Sequence, residues 1–205
     1  MAAVRSTLYV PVTIAVWRQG DQWVGLALEF DIASCGPTDA EAVEETMDAV
    51  LAYLHTQDEL GERELVFRER SIPVYTTPPA AVPLAPVPRE VVEKRPAIIL
   101  RELAVPSPSR RSQPPPTRSS WRHRSTTVSS DDVIRALLRH GFQPRSGRGP
   151  RGSHRVSVKP RDPGPGHVTV TVPLGKREIP DGTLASIHRQ LGLDRQRFDD
   201  WLKGK

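Results

Sequence analysis

Twelve of the chain's 21 prolines fall between Ser71 and Ser119. Proline fixes φ, supplies no backbone donor, ends helices and is confined to the edges of sheets. A single packed core running through all 205 residues is therefore excluded, and the chain divides on either side of this stretch. The division reads as a domain at 1–75, a Pro/Ser/Arg-rich linker at 76–128 and a second domain at 129–205. Inside the linker one apolar island, "REVVEKRPAIILRELAV", interrupts the polar composition. Pro96 breaks any long helix there, which leaves a short strand or a docking segment.

Charge follows the same division. Residues 1–70 carry five Arg or Lys against thirteen Asp or Glu, and residues 120–205 carry seventeen against eight. An acidic part and a basic part on one molecule predict an intramolecular contact in which the first covers a binding face of the second. The basic excess points to a polyanionic partner. The single cysteine, Cys35, excludes an internal disulfide framework and a Cys-based zinc site. With no long apolar run and no signal-peptide pattern, the expectation is a soluble, cytoplasmic protein without a membrane partner.

In the acidic part, "LYVPVTIAVWRQGDQWVGLALEF" alternates as a hairpin, with Val10, Val12, Ile14 and Val16 on one face and Val24, Leu26, Leu28 and Phe30 on the return strand. "DIASCG" adds a short strand. Thr38 followed by Glu41 opens a helix whose stripe is Val43, Met47, Val50, Tyr53 and Leu54. The carboxylates Asp39, Glu41, Glu44, Glu45 and Asp48 read as its solvated outer face. "ELVFRERSIPVY" reads as a last strand, giving β-β-β-α-β. His55 and Cys35 read as ordinary residues.

In the basic part, "SSDDVIRALLRHGF" is a helix capped by Ser129 or Ser130, with a stripe of Val133, Ile134, Leu137 and Leu138 and an end at Gly141. "FQPRS", "RVSVKP" and "HVTVTVP" supply strands, "DGTLASIHRQLG" a helix capped by Thr183, and "LDRQRFDDWL" a short last helix after Asp194. The order is α-β-β-β-α, that of double-stranded-RNA-binding domains. The overall expectation is α+β.

Two resemblances attach to these patterns. "DQWVGLALEFDIASCGPT" followed by "TDAEAVEETMDAVLAYL" resembles the HicB-type antitoxin domain, a partial RNase H-like fold. That family usually carries a further DNA-binding module; none is visible here, and DNA binding stays open, as does a homo-oligomer through this domain. The helix ending "HGF", the Arg-rich loop, "GSH" opening a strand, "VTVP" and "GTLASIHRQLGLDRQRF" together resemble the HicA-type toxins, small ribonucleases that cleave messenger RNA. The resemblance implies that His154, in "GSH", is catalytic. Many members read "GSHH", where this chain has Arg155, and many carry a histidine where this chain has Leu174.

The residue chemistry fits that implication. Cleaving RNA without a metal needs a base for the ribose 2′-hydroxyl and positive charge at the phosphate. Histidine suits the first because its reference pKa, about 6.5, lies near working pH. Arg145, Arg148, Arg151, Arg155 and Lys159 are candidate phosphate holders, as are Lys176 and Arg177. Gly152 admits a close backbone and Ser153 adds a hydroxyl. His140 reads as a helix-end residue, His188 as surface, and His167 as a second proton carrier only if the sheet brings it to His154. No metal-donor cluster and no cofactor motif is visible. The expectation is an autoinhibited endoribonuclease, with a non-catalytic RNA-binding regulator and an interaction scaffold as alternatives.

Overall fold

The alternating Val/Ile run at the N-terminus forms β1 (Thr7–Gln19), which turns back through Gly20, in the left-handed region at φ 60°, into β2 (Gln22–Ala27) and then β3 (Ile32–Gly36). The computed structural model describes residues 7–106, 128–145 and 152–204. Val10, Val12, Ile14 and Val16 pack on α1 (Asp39–Leu60), as their alternation predicts. Val24 and Leu26 do not share that face. They pair with Trp17 and Ala15, and join Ala33, Cys35 and Val91 in a second cluster on the opposite side. Both faces of this sheet are covered, which is why β1 is buried almost continuously rather than at every second residue.

α1 begins as predicted, with the Thr38 hydroxyl accepting from the Glu41 N–H at 3.2 Å, and stops at Gly61 in the left-handed conformation. It lies unusually close to the sheet. A Cβ added at Gly25 would meet Thr46 Oγ1 at 2.5 Å and the Ala42 carbonyl oxygen at 2.8 Å.

The expected last strand is not where the sequence suggested. Where the sequence predicts a strand over "ELVFRERSIPVY" (64–75), residues Arg63–Glu69 form a helix, α2, that buries Val66 and Phe67, and in the rest of the stretch only an isolated bridge between Tyr75 and Tyr9 is extended. A short apolar run does not distinguish helix from strand by periodicity. The fourth strand comes from the apolar island inside the expected linker. After the short α3 (Arg89–Val92) and Pro96, β4 (Ala97–Pro106) pairs antiparallel with β1 along ten residue pairs, giving the order β3-β2-β1-β4. The folded N-terminal part therefore runs to Pro106.

The second part starts with α4 (Ser130–Arg139). Ser129 and Asp132 cap it reciprocally, and Gly141, at φ 83°, follows its end. Leu138, predicted in the buried stripe, is exposed. β5 (Gln143–Arg145), β6 (His154–Pro160) and β7 (His167–Pro173) form an antiparallel sheet in that order. α5 (Asp181–Gln190) starts before the predicted cap, so Thr183 is buried in its first turn; α6 (Arg195–Lys203) is capped by Asp194. Val133, Ile134 and Leu137 of α4 pack with Val170, Val172, Ile187 and Phe198 on one face of the sheet. The register puts His154, Val156, Val158, Thr169 and Thr171 on the other face. That face is covered by α1, and the β3 edge is covered by α5.

Gly25→Ala is expected to lower the stability of the chain by about 1–3 kcal/mol, because helix and strand must separate to admit the methyl group. Urea unfolding of the two proteins measures the difference.

Candidate functional site

His154 opens β6 beside the turn at Gly152–Ser153, and it is 1% exposed. An imidazole removed from water needs partners for both ring nitrogens. Ser34 Oγ of β3 lies 2.8 Å from Nε2, and Ser153 Oγ lies 2.9 Å from Nδ1. The same Ser153 hydroxyl donates to Asp48 Oδ2 of α1 at 2.7 Å, and Asp48 Oδ2 is 3.5 Å from Nδ1. Glu45 Oε2 stands 4.0 Å from Nδ1. Two parts of the chain, more than a hundred residues apart in sequence, thus close on one histidine.

The donors and acceptors decide the tautomer. Ser153 has one hydroxyl hydrogen, and the Asp48 carboxylate can only accept it. Ser153 Oγ must therefore accept from Nδ1–H. In the neutral ring Nε2 is then bare, and the Ser34 hydroxyl donates to it. Ser34, His154 and Asp48 are the residue types of a nucleophilic triad, but Ser34 is 0% exposed, so no acyl substrate reaches its hydroxyl in the closed chain.

Around this centre the two parts meet mostly through polar groups. Arg189 holds Asp31 with two nitrogens at 2.7–3.0 Å, and Asp31 sits in the left-handed turn before β3. Ser186 Oγ donates to the Asp31 carbonyl at 2.6 Å and accepts from the Ala33 N–H at 3.1 Å. Gln57 Nε2 donates to Thr169 Oγ1 at 2.8 Å, and His167 Nδ1 lies 2.7 Å from Glu62 Oε1. Gln19 Oε1 accepts from the Gly182 N–H at 3.1 Å, and a Cβ at Gly182 would meet Trp17 Cζ2 at 2.6 Å. Cys35 is buried in this contact, and burial pushes its thiol up.

The predicted site residues are only partly gathered. Ser153 touches His154, and Arg145 lies on the His154 face through its pairing with Val156. Lys176, in the loop after β7, is close enough to act electrostatically on His154 and on Cys35. Arg155 and Lys159 point to the opposite face of β6, and the Lys159 ammonium sits 6.0 Å from the Phe142 ring centroid. Gly152 is in the turn at φ 62° and Arg177 is exposed. Arg148 and Arg151 lie outside the described residues. His167 is engaged by Glu62, while His140 stacks on Trp201 at 4.6 Å and His188 faces the Leu193 carbonyl. Sequence reasoning missed Ser34, Asp48 and Asp31. Asp48 was read as solvated, yet it is 4% exposed. The available signal was the opposite charge of the two parts.

Burial lowers the His154 pKa below its ordinary value; the carboxylates Glu45 and Asp48 of α1 pull upward, and Lys176 adds to the lowering. The closed form therefore holds the neutral ring. Below about pH 6.5 an opened chain takes a proton that the closed chain resists, so closure weakens as pH falls through that range and levels off below the depressed value. The protection factor of the Ala33 amide, which is bonded across the contact, is expected to fall between about pH 7.5 and about pH 5.5. His154→Gln should flatten that dependence.

A family model described as "HicA toxin of bacterial toxin-antitoxin" matches residues 130–193, which span α4 through α5 and include His154. No curated protein and no solved structure matches the chain. Over residues 130–193 the C-terminal part of this chain is accordingly similar to the HicA-type toxins.

Proposed function

We propose that this chain is a toxin–antitoxin fusion held in a latent state: the C-terminal part is an endoribonuclease acting through His154, and the N-terminal part is an antitoxin-type domain that neutralises it in cis. The observation that carries this reading is the burial of His154, with Ser34 and Asp48 of the N-terminal part on its two sides. The family match supports the toxin half; HicA toxins act on RNA and pair with an antitoxin. The HicB-like identity of the first half rests on its sequence resemblance and on the contact it makes.

The chemistry follows from the tautomer. Nε2 takes the proton of a ribose 2′-hydroxyl, the 2′-oxygen bonds to phosphorus, and the bond from phosphorus to the 5′-oxygen breaks. That oxygen leaves with a proton from water, giving a 2′,3′-cyclic phosphate and a 5′-hydroxyl, and the imidazolium returns its proton to solvent. Among the described residues, Lys176 and Arg145 are the cations best placed to hold the phosphate, with Arg177 and, on the far side of the strand, Arg155 and Lys159 left for more distant RNA backbone. The sheet face that α1 covers, on which His154 lies, is the surface an RNA would approach. The setting is the cytoplasm, where messenger RNA is the substrate.

The test is to cleave the full chain at a protease site placed between Pro106 and Val128, or to produce residues 128–205 alone; this part has its own apolar core. The fragment is expected to cut messenger RNA with a 2′,3′-cyclic product, and the intact chain to be inert. His154→Ala in the fragment should abolish cleavage and leave salt-sensitive RNA binding in place. A fragment that binds RNA and never cuts it would instead be a non-catalytic RNA-binding regulator. In the intact chain Gly182→Ala, whose methyl group meets the Trp17 ring, should open the contact by about 1–3 kcal/mol and raise cleavage by roughly fivefold to roughly a hundredfold.

A further inference from the structure

The cover over His154 goes beyond steric blockage. An apolar side chain over Nε2 would leave the bare nitrogen buried without a donor, which is unfavourable. The N-terminal part instead presents a hydroxyl. Ser34 lies on β3 between Ala33 and Cys35, and two contacts fix the strand against the C-terminal part: the Ala33 N–H on Ser186, and Asp31, in the turn before the strand, on Arg189. The strand is therefore held at a position where the Ser34 oxygen is 2.8 Å from Nε2, within the range for a hydroxyl donating to a base.

We infer that Ser34 is a pseudosubstrate: its hydroxyl occupies, on Nε2 of His154, the place taken by the ribose 2′-hydroxyl of the RNA. This rests on the ribonuclease reading above and adds which ring nitrogen is the base and where the attacking hydroxyl sits. The Nδ1 side has a matching division of labour. Ser153 belongs to the C-terminal part and stays with His154 when the halves separate, so its oxygen remains beside Nδ1 as an acceptor for Nδ1–H. Asp48 belongs to the cover, and it fixes the direction of the Ser153 hydroxyl only while the chain is closed. The closed chain thus stores the histidine in the tautomer that the reaction needs. An RNA strand entering the site exchanges one hydroxyl for another on Nε2, with no change in the ring's hydrogen-bond count.

Two measurements on the full chain test this. The first is nitrogen NMR of histidine-labelled protein at neutral pH, where the expected result is a proton on Nδ1 of His154 and a bare Nε2 that shifts on Ser34→Ala. A proton on Nε2 overturns the inference whatever the catalytic result. The second compares RNA cleavage by the wild-type chain, Ser34→Ala and Gly182→Ala. Loss of one buried hydrogen bond to the ring should raise cleavage by Ser34→Ala about tenfold. Circular dichroism establishes that each variant is folded, and Ser34→Thr, which keeps a hydroxyl, should stay nearer the wild-type level than Ser34→Ala. If Gly182→Ala cleaves RNA while Ser34→Ala remains as inert as wild type, the pseudosubstrate role is wrong and the ribonuclease reading stands. If no variant and no C-terminal fragment cleaves, the ribonuclease reading falls and takes the inference with it.

Discussion

One buried imidazole organises the contact between the two parts of this chain. A histidine at 1% exposure must have both nitrogens satisfied, and β6 and its turn supply only Ser153. The other partner comes from β3, and the carboxylate that orients Ser153 comes from α1. Because these residues belong to different elements of the N-terminal part, the positions of β3 and α1 relative to each other matter as much as their positions against β6. Gly25 and Gly36 allow α1 to lie directly on the backbone of β2 and β3, which sets the spacing between Ser34 and Asp48.

The rest of the contact makes sense around that demand. β3 is an edge strand, and an edge strand presents unpaired backbone groups. α5 answers them with side chains: Ser186 takes the Ala33 N–H, while Ser186 and Gln190 both donate to the Asp31 carbonyl. The Asp31–Arg189 pair then fixes the turn in front of the strand. These are groups that water could replace when the halves separate. The apolar cores themselves remain distinct, one around α1 and β1, the other around α4 and β7. A contact built from replaceable polar groups between two separate cores is what reversible closure requires, whereas a shared apolar core would tie folding of one part to the other.

Much of the fold was legible in the sequence because local signals were strong. The Thr38 cap, the Ser129–Asp132 capping box and the alternating runs of β1, β6 and β7 each encode their element within a few residues. The failures have a common cause. "ELVF" as helix, the pairing of β4 with β1 rather than a place in a linker, and Val24 and Leu26 on the second face all depend on tertiary neighbours that periodicity does not report. The site divides the same way. His154 and Ser153 were visible through a short motif, but Asp48 looked like any carboxylate on an acidic helix. Nothing local distinguishes it from Glu44; only the register of α1 against β6 buries it.

The charge asymmetry that first suggested a covered face has a narrower role in the structure. Among the described residues Asp31 holds Arg189, and Asp48 and Glu62 face the histidines His154 and His167. Beyond such pairs, the net acidity of this part acts as a field. Such a field repels a polyanion from the region in which Ser34 meets Nε2 of His154, and it falls off within about 8 Å at physiological salt. Covalent linkage makes closure unimolecular, so neither term has to be large for the closed state to dominate. Acid pH weakens the hydrogen-bonded seal at His154 from within, whereas salt weakens the field from outside. The two terms act on the same equilibrium through different groups, so the hydrogen-bonded seal at Ser34 and Asp48 is the part of the proposed inhibition that persists when the field is screened.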